Sequence, residues 1–124
     1  MHVLLGIGAG HSDRALEETV SRAKAAGDDL TIAILESGES AVVATDPSEL
    51  RARVAGVLAE AAFDADVRSV SGHPGSQLLE LVEREGFDRI VLDGGETTPM
   101  GKVTLGSVAE FVLLNARTTV TLVR

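Results

Sequence analysis

The chain has 124 residues, which suits one domain, and it carries a formal net charge of -8. Such an acidic surface disfavours nucleic acid and anionic membranes, which are bound through clustered Lys and Arg, and the lack of cysteine excludes disulfides and thiolate metal sites. The apolar runs are short, and no basic region with a long apolar segment opens the chain, so we expect a soluble cytoplasmic protein.

The first third of the chain alternates strand, helix and strand. Val3-Leu-Leu-Gly-Ile7 predicts the first strand. From Ser12 to about Ala26, apolar residues recur at helical spacing until Gly27 ends the helix. Leu30-Thr-Ile-Ala-Ile-Leu35 carries apolar residues on both faces, which predicts a buried second strand.

The same alternation continues through the middle of the chain. Asp46-Pro-Ser-Glu49 predicts a helix start, because Asp caps, Pro suits the first turn and Glu can reach back to the cap. Residues 66–70 predict the third strand, and Gly72-His-Pro-Gly-Ser76 opens a third helix, with His73 expected to end the preceding loop. Residues 89–92 predict the fourth strand.

The last elements are a helix and a strand. Ser107-Val-Ala-Glu110 is a capping box, so the fourth helix is predicted to begin there and not at Lys102. Residues 118–123 predict the fifth strand, in which apolar Val120 and Leu122 alternate with threonines. A central strand of a parallel sheet would be apolar on both faces, so this pattern indicates an edge strand.

The complete alternation predicts the α/β class, with a five-stranded parallel sheet wound doubly into a three-layer sandwich. One domain covers residues 1–124. Ligands in such sheets sit beyond the carboxyl ends of the strands, where the strand order reverses. The loops that follow the first and fourth strands therefore form the candidate site.

The loop after the fourth strand resembles a phosphate-binding loop of the Walker type only in part. That motif needs four residues between Gly and Gly-Lys, whereas five residues separate Gly95 from Gly101-Lys102. Val103 stands where a magnesium-binding hydroxyl belongs. The helix start at Gly106-Ser107 offers a simpler anion site of free N–H groups and helix dipole, which Lys102 could assist. The alternative is that Ser107 only caps its helix.

The whole chain resembles a universal stress protein domain. The resemblance is carried by the order of the elements, by the stretches 72–79 and 86–92, and above all by Leu105-Gly-Ser-Val108 before the last helix. It implies the adenine nucleotide alpha hydrolase-like fold and possible binding of ATP or AMP. The candidate cofactor-binding residues are Gly8, Gly94, Gly95, Lys102, Gly106, Ser107 and Val108. No catalytic and no metal-binding residue is implied.

Three positions depart from the pattern of ATP-binding members of that family. Their glycine signature, counted back from Gly106, places Asp93 and Glu96 where glycines are usual. Their nucleoside-holding Asp at the end of the first strand is matched with Ile7. A carboxylate near a triphosphate repels it, so the resemblance implies weak or absent ATP binding. The alternative, that Asp93 or Glu96 holds hydrated magnesium, would reverse this effect.

The sequence leaves three functions open. The first is a non-catalytic stress-response or signalling module, expected to be a homodimer because members of the resembled family often pair through the fifth strand, residues 118–123. The second is an ATP-binding regulatory switch that uses Gly106-Ser107 and Lys102. The third is an adenine-nucleotide enzyme. The acidic composition indicates either a salt-rich cytoplasm or a GC-rich genome.

Overall fold

The computed structural model describes residues 1–8, 13–35, 47–93, 96–97, 103–104 and 107–123. Strands and helices alternate along the chain almost throughout. In chain order the elements are β1 (His2–Gly8), α1 (Asp13–Ala26), β2 (Asp29–Leu35), α2 (Pro47–Ala61), β3 (Asp66–Val70), α3 (Pro74–Glu85), β4 (Arg89–Asp93), β5 (Glu96–Thr97), β6 (Val103–Thr104), α4 (Ser107–Asn115) and β7 (Thr119–Val123). The predicted strands and helices are thus confirmed to within two residues at the ends that the structure describes.

Five strands form one sheet in the order β3-β2-β1-β4-β7, and every neighbouring pair is parallel. The predicted α/β class and parallel sheet are confirmed. The chain first winds outward from β1 to β3 and then crosses to β4 and β7, so the strand order reverses between β1 and β4. This reversal places the carboxyl ends of β1 and β4 side by side, which is where the sequence predicts the ligand site.

The core lies in two layers on opposite faces of the sheet. Helices α1 and α2 cover one face, where Leu16 and Val54 pack against strand residues such as Ile32. Helices α3 and α4 cover the other face, where Leu78 packs against residues such as Ile90. Both layers are almost wholly aliphatic, because aromatic residues make up only 2% of the chain. Burial of these side chains on both faces of the sheet is the main stabilising term.

Helix α3 begins with a histidine cap. The His73 Nδ1 atom accepts a hydrogen bond from the Ser76 backbone N–H at 3.1 Å, and Pro74 occupies the first turn. The helix ends at Gly86, whose φ of 70° gives the left-handed turn that favours glycine. His73 is expected to help end the preceding loop; as the N-cap it stands at that boundary and also satisfies one of the free N–H groups of the helix.

The two helices on one face approach each other closely at Gly75. A Cβ atom at this position would lie 2.4 Å from Phe111 Cδ1 and 3.2 Å from Phe111 Cβ, so glycine is required for the contact. The His73 ring meets the same Phe111 ring edge-on, with centroids 4.8 Å apart. Gly75, Phe111 and His73 therefore fix how α3 and α4 pack.

Strand β7 lies at one edge of the sheet, as its alternating pattern predicts. Its residues Val120 and Leu122 pack against the α3 and α4 layer, and Val123 is buried in the opposite layer. Thr119 is exposed. The other edge is β3, where Arg68 forms salt bridges with Asp66 and with Glu85 of α3.

The Arg68–Glu85 pair predicts a pH effect on stability. The hydrogen bond from Arg68 lowers the pKa of Glu85 below its usual range, and neighbouring positive charges act in the same direction against a desolvation penalty. A carboxyl with a lowered folded-state pKa stabilises the fold above its unfolded-state pKa, and this contribution is lost as pH falls through the folded value. Urea unfolding should therefore show a smaller stability difference between wild type and Glu85→Gln at about pH 3 than at about pH 7.

Glu83→Gln is the matched control, because Glu83 is exposed on the same helix and takes part in no salt bridge within the described residues. Its effect on unfolding should not change over this pH range. A Glu85→Gln effect that is equally independent of pH would show that the ion pair does not stabilise the fold.

Candidate functional site

The candidate site lies at the carboxyl end of the sheet, where the central strands β1 and β4 end. Gly6 of β1 pairs with Leu92 of β4 in the last shared position, and the two strands then end at Gly8 and Asp93. Helix α4 connects the carboxyl end of β4 to the start of β7, so its first residue, Ser107, also lies at this end of the sheet. The topology thus places Gly8, Asp93 and Ser107 at the carboxyl end of the sheet.

Gly8 has a packing role at this end of the sheet. A Cβ atom at Gly8 would lie 3.3 Å from Leu35 Cβ, which is tighter than ordinary van der Waals contact. The glycine allows the ends of β1 and β2 to lie together, with or without a ligand. Its predicted part in nucleotide binding stays a prediction.

Ile7 lies in the core and not on a ligand-facing surface. Its side chain is 1% exposed and belongs to the layer under α1 and α2. An aspartate at this position would be a carboxylate buried among aliphatic side chains, which is a costly arrangement. The resemblance matches Ile7 with the nucleoside-holding Asp of ATP-binding members, but in this structure the Ile7 side chain lies in the core.

Asp93 places a carboxylate at the candidate site. It is the last residue of β4 and is half-buried, beside Val123 of the edge strand. Glu96 follows in β5, which pairs with β6 in an antiparallel hairpin that joins Glu96 to Thr104. The sequence did not predict this hairpin.

The hairpin argues against a Walker loop. In that motif a helix follows the lysine at once, whereas here the residues after Lys102 form the extended strand β6. Helix α4 begins only at Ser107, as the capping box predicts. Its first turn presents N–H groups without intrahelical partners and the positive end of the helix dipole. That part of the anion-site prediction fits the structure.

The remaining predicted site residues divide into two groups. Val108 is half-buried and packs against the core layer of α3 and α4, so its side chain holds the helix on the sheet. The other predicted residues lie outside the described part of the chain: Gly94, Gly95, Lys102 and Gly106. Their roles stay predictions.

Two grooves lie on the helical layers, away from the carboxyl ends of β1 and β4. One, of about 670 Å³, runs between α1 and α2, and the other, of about 430 Å³, runs between α3 and α4. Within the described residues, no group of His, Asp and Glu is arranged to hold a metal ion. In the same part of the chain, every helix is too short or too polar to cross a membrane.

Several solved structures share this fold. A universal stress protein from Archaeoglobus fulgidus is 17% identical, covers 100% of this chain and 98% of its own, and has a TM-score of 0.73. A universal stress protein in complex with cAMP is 24% identical, with 100% and 97% covered and a TM-score of 0.70. A universal stress protein family protein from Arabidopsis thaliana with AMP bound is 15% identical, with 98% and 90% covered and a TM-score of 0.59.

Sequence comparison points the same way. None of the curated proteins matches the sequence detectably. The model of the universal stress protein family, in contrast, matches residues 1–124 and so covers the whole chain. Together with the fold and the position of the site at the carboxyl ends of β1 and β4, this match leads to one conclusion: the chain belongs to the universal stress protein family.

Proposed function

We propose that this protein is a non-catalytic, cytoplasmic stress-response or signalling module. Its site at the carboxyl ends of β1 and β4 binds adenine nucleotides weakly, and triphosphates most weakly. The observation that carries the proposal is the position of Asp93 at the end of β4, the strand beside β1 where the sheet order reverses. Proteins with the same fold hold cAMP or AMP. These ligands support binding of an adenine nucleotide, and the reversal of strand order between β1 and β4 supports this end of the sheet as its site.

The carboxylate of Asp93 opposes a phosphate tail. Two unit charges 4 Å apart repel by about 1 kcal/mol in water and by about 4 kcal/mol at an effective dielectric of 20. Glu96, the third residue after Asp93 and the first of β5, adds a second negative charge to the same segment. The first turn of α4 is worth about 0.3–1 kcal/mol to an anion at an exposed site. A phosphate held about 4 Å from the Asp93 carboxylate would therefore lose at least as much binding energy as the helix end contributes.

The direct test removes both charges. The double variant Asp93→Asn with Glu96→Gln should bind Mg-ATP at least about tenfold more tightly than the wild type, which corresponds to about 1.4 kcal/mol. The measurement is isothermal titration calorimetry at physiological salt. Glu17→Gln with Glu60→Gln is the matched control, since it removes two charges from the groove between α1 and α2. An equal gain in affinity in both double variants would show that net charge, and not the position of Asp93 and Glu96, sets the affinity, and would overturn the proposal. No gain in either variant would overturn it as well.

A second function, an ATP-binding regulatory switch, is favoured by the position of α4, whose N-terminus at Ser107 lies at the same end of the sheet as the site. Under this alternative, Lys102→Met should weaken Mg-ATP binding clearly, because a cation would be lost from the phosphate. Under the first proposal, the same variant changes an already weak affinity little. Steady-state ATP hydrolysis above the buffer rate would favour the third function, an enzyme.

We further propose that the protein forms a two-fold homodimer through β7. The strand lies at the edge of the sheet, and an edge strand presents unpaired N–H and C=O groups that favour pairing with another strand. Residues 117–123 contain no acidic residue, although the whole chain has a net charge of -8. Two copies can therefore meet at this edge without the like-charge repulsion expected elsewhere on the surface.

A further inference from the structure

Helix α4 is apolar on nearly all sides, although it lies at the surface. Of its residues only Glu110 is charged. Leu114 is 77% exposed and Leu113 is 41% exposed, and they are two of the three large exposed hydrophobic residues in the described part of the chain. A surface helix normally has one apolar stripe and a polar outer face. The adjacent leucines on the outer side of α4 therefore indicate a surface that another molecule covers.

A groove of about 430 Å³ runs beside this helix, between α3 and α4. Its apolar lining consists of Leu79 and Val82 from α3 and Phe111 from α4. Leu114 does not line the groove itself, but it follows Phe111 by one helical turn and precedes the lining residue Asn115, so helix geometry places it next to the groove. The groove and the exposed leucine together form one apolar surface, which we call the α3–α4 groove.

Acidic residues line the α3 side of this groove. Glu80 and Glu83 are exposed there, one helical turn apart. Arg84 reaches Glu80 at 3.7 Å, whereas Glu83 takes part in no salt bridge within the described residues. Arg117 lines the end of the groove next to β7. The α3 side of the groove thus carries one negative charge, that of Glu83, without a salt bridge within the described residues.

We propose that the α3–α4 groove docks an amphipathic helix of a partner protein, with a leucine-type stripe flanked by Lys or Arg. The stripe would cover Leu114 and fill the groove over Phe111, and the basic residues would meet Glu80 and Glu83. Helix-in-groove recognition uses this combination of an apolar anchor and flanking charges. The apolar helix α4 of a second copy is disfavoured as the occupant, because it carries no Lys or Arg that could meet Glu80 and Glu83. The proposal is independent of nucleotide binding.

The test uses a designed probe and the full chain. The probe is a helical peptide of about 18 residues with leucines at i, i+3, i+4 and i+7 spacing and lysines elsewhere. Titration into ¹⁵N-labelled protein should shift resonances of α3 and α4 and leave those of α1 and α2 unchanged. Leu114→Gln should weaken the affinity about tenfold, because the variant no longer buries a leucine side chain against the bound peptide. Its exposed position keeps the fold intact, which circular dichroism would verify.

Glu83→Gln and Glu17→Gln form a matched pair, because both remove one exposed negative charge, the first in the α3–α4 groove and the second in the α1–α2 groove. Glu83→Gln should weaken the peptide about two- to fivefold, and Glu17→Gln should have no effect. Equal weakening by both, equal binding of a scrambled peptide without an apolar face, or no binding of the striped peptide would overturn the proposal. A change of oligomeric state in Leu114→Gln without peptide would assign the groove to a second copy and also overturn it.

Discussion

Gly75→Ala is expected to destabilise the protein by about 1–3 kcal/mol, because the added methyl group overpacks a tight helix contact. The new Cβ atom would lie 2.4 Å from Phe111 Cδ1 and 2.9 Å from Cγ. Rotation of the phenyl ring cannot relieve the contact fully, since the Phe111 Cβ atom itself lies 3.2 Å away. Helix α3 or α4 must therefore shift.

Gly56→Ala provides the matched control for this prediction. Gly56 lies inside α2, and nothing lies within 4 Å of the place where its Cβ atom would be. Alanine there should be neutral or stabilise by up to about 1 kcal/mol, because glycine is a poor helix former. Urea unfolding of both variants gives the comparison. Equal effects of the two substitutions would show that the Gly75–Phe111 contact does not fix the packing of α3 on α4.

Val120→Pro should convert the proposed dimer into folded monomers. Proline cannot donate a strand hydrogen bond, and two symmetry-related bonds would be lost, at about 0.5–1.5 kcal/mol each, in addition to the steric effect of two rings. The dimer should therefore weaken by at least about tenfold. Multi-angle light scattering over a concentration series measures this directly.

A second substitution keeps the dimer prediction testable if Val120→Pro fails to fold. Val120 and Thr121 pair with β4 at adjacent register positions, and the N–H groups of adjacent strand residues point to opposite sides. Thr121→Pro therefore affects the outer edge if Val120→Pro affects the pairing with β4. Circular dichroism shows which variant is folded. A folded proline variant that remains dimeric would contradict pairing through β7.

The parallel sheet could be predicted because its strands carry strong local signals. Residues 30–35 are apolar except for Thr31, and a strand covered by helices on both faces needs apolar residues on both of them. Strand β7 is predicted to be an edge because Thr119 and Thr121 fall on one face of the strand, where a central strand would carry apolar residues. The start of α4 followed from the spacing of Ser107 and Glu110, which is a property of the helix terminus itself.

Other features depend on packing that the sequence pattern does not encode. Strands β5 and β6 have two residues each, which is too short to show a period of two. His73 caps α3 although histidine is not among the preferred capping residues, and its position is supported by the Phe111 ring. The burial of Ile7 depends on which face of β1 meets α1, so matching it to a ligand-binding position required the three-dimensional structure.

The central claim is that this member of the family keeps the fold of a nucleotide-binding module while the carboxylate of Asp93 opposes the phosphate tail. The most direct measurement is calorimetric titration of the wild-type protein with adenosine, AMP and Mg-ATP at physiological salt. We predict that affinity falls as phosphates are added, with Mg-ATP the weakest ligand and its dissociation constant above about 100 μM. A low-micromolar dissociation constant for Mg-ATP, or tightening from adenosine to ATP, would contradict the account.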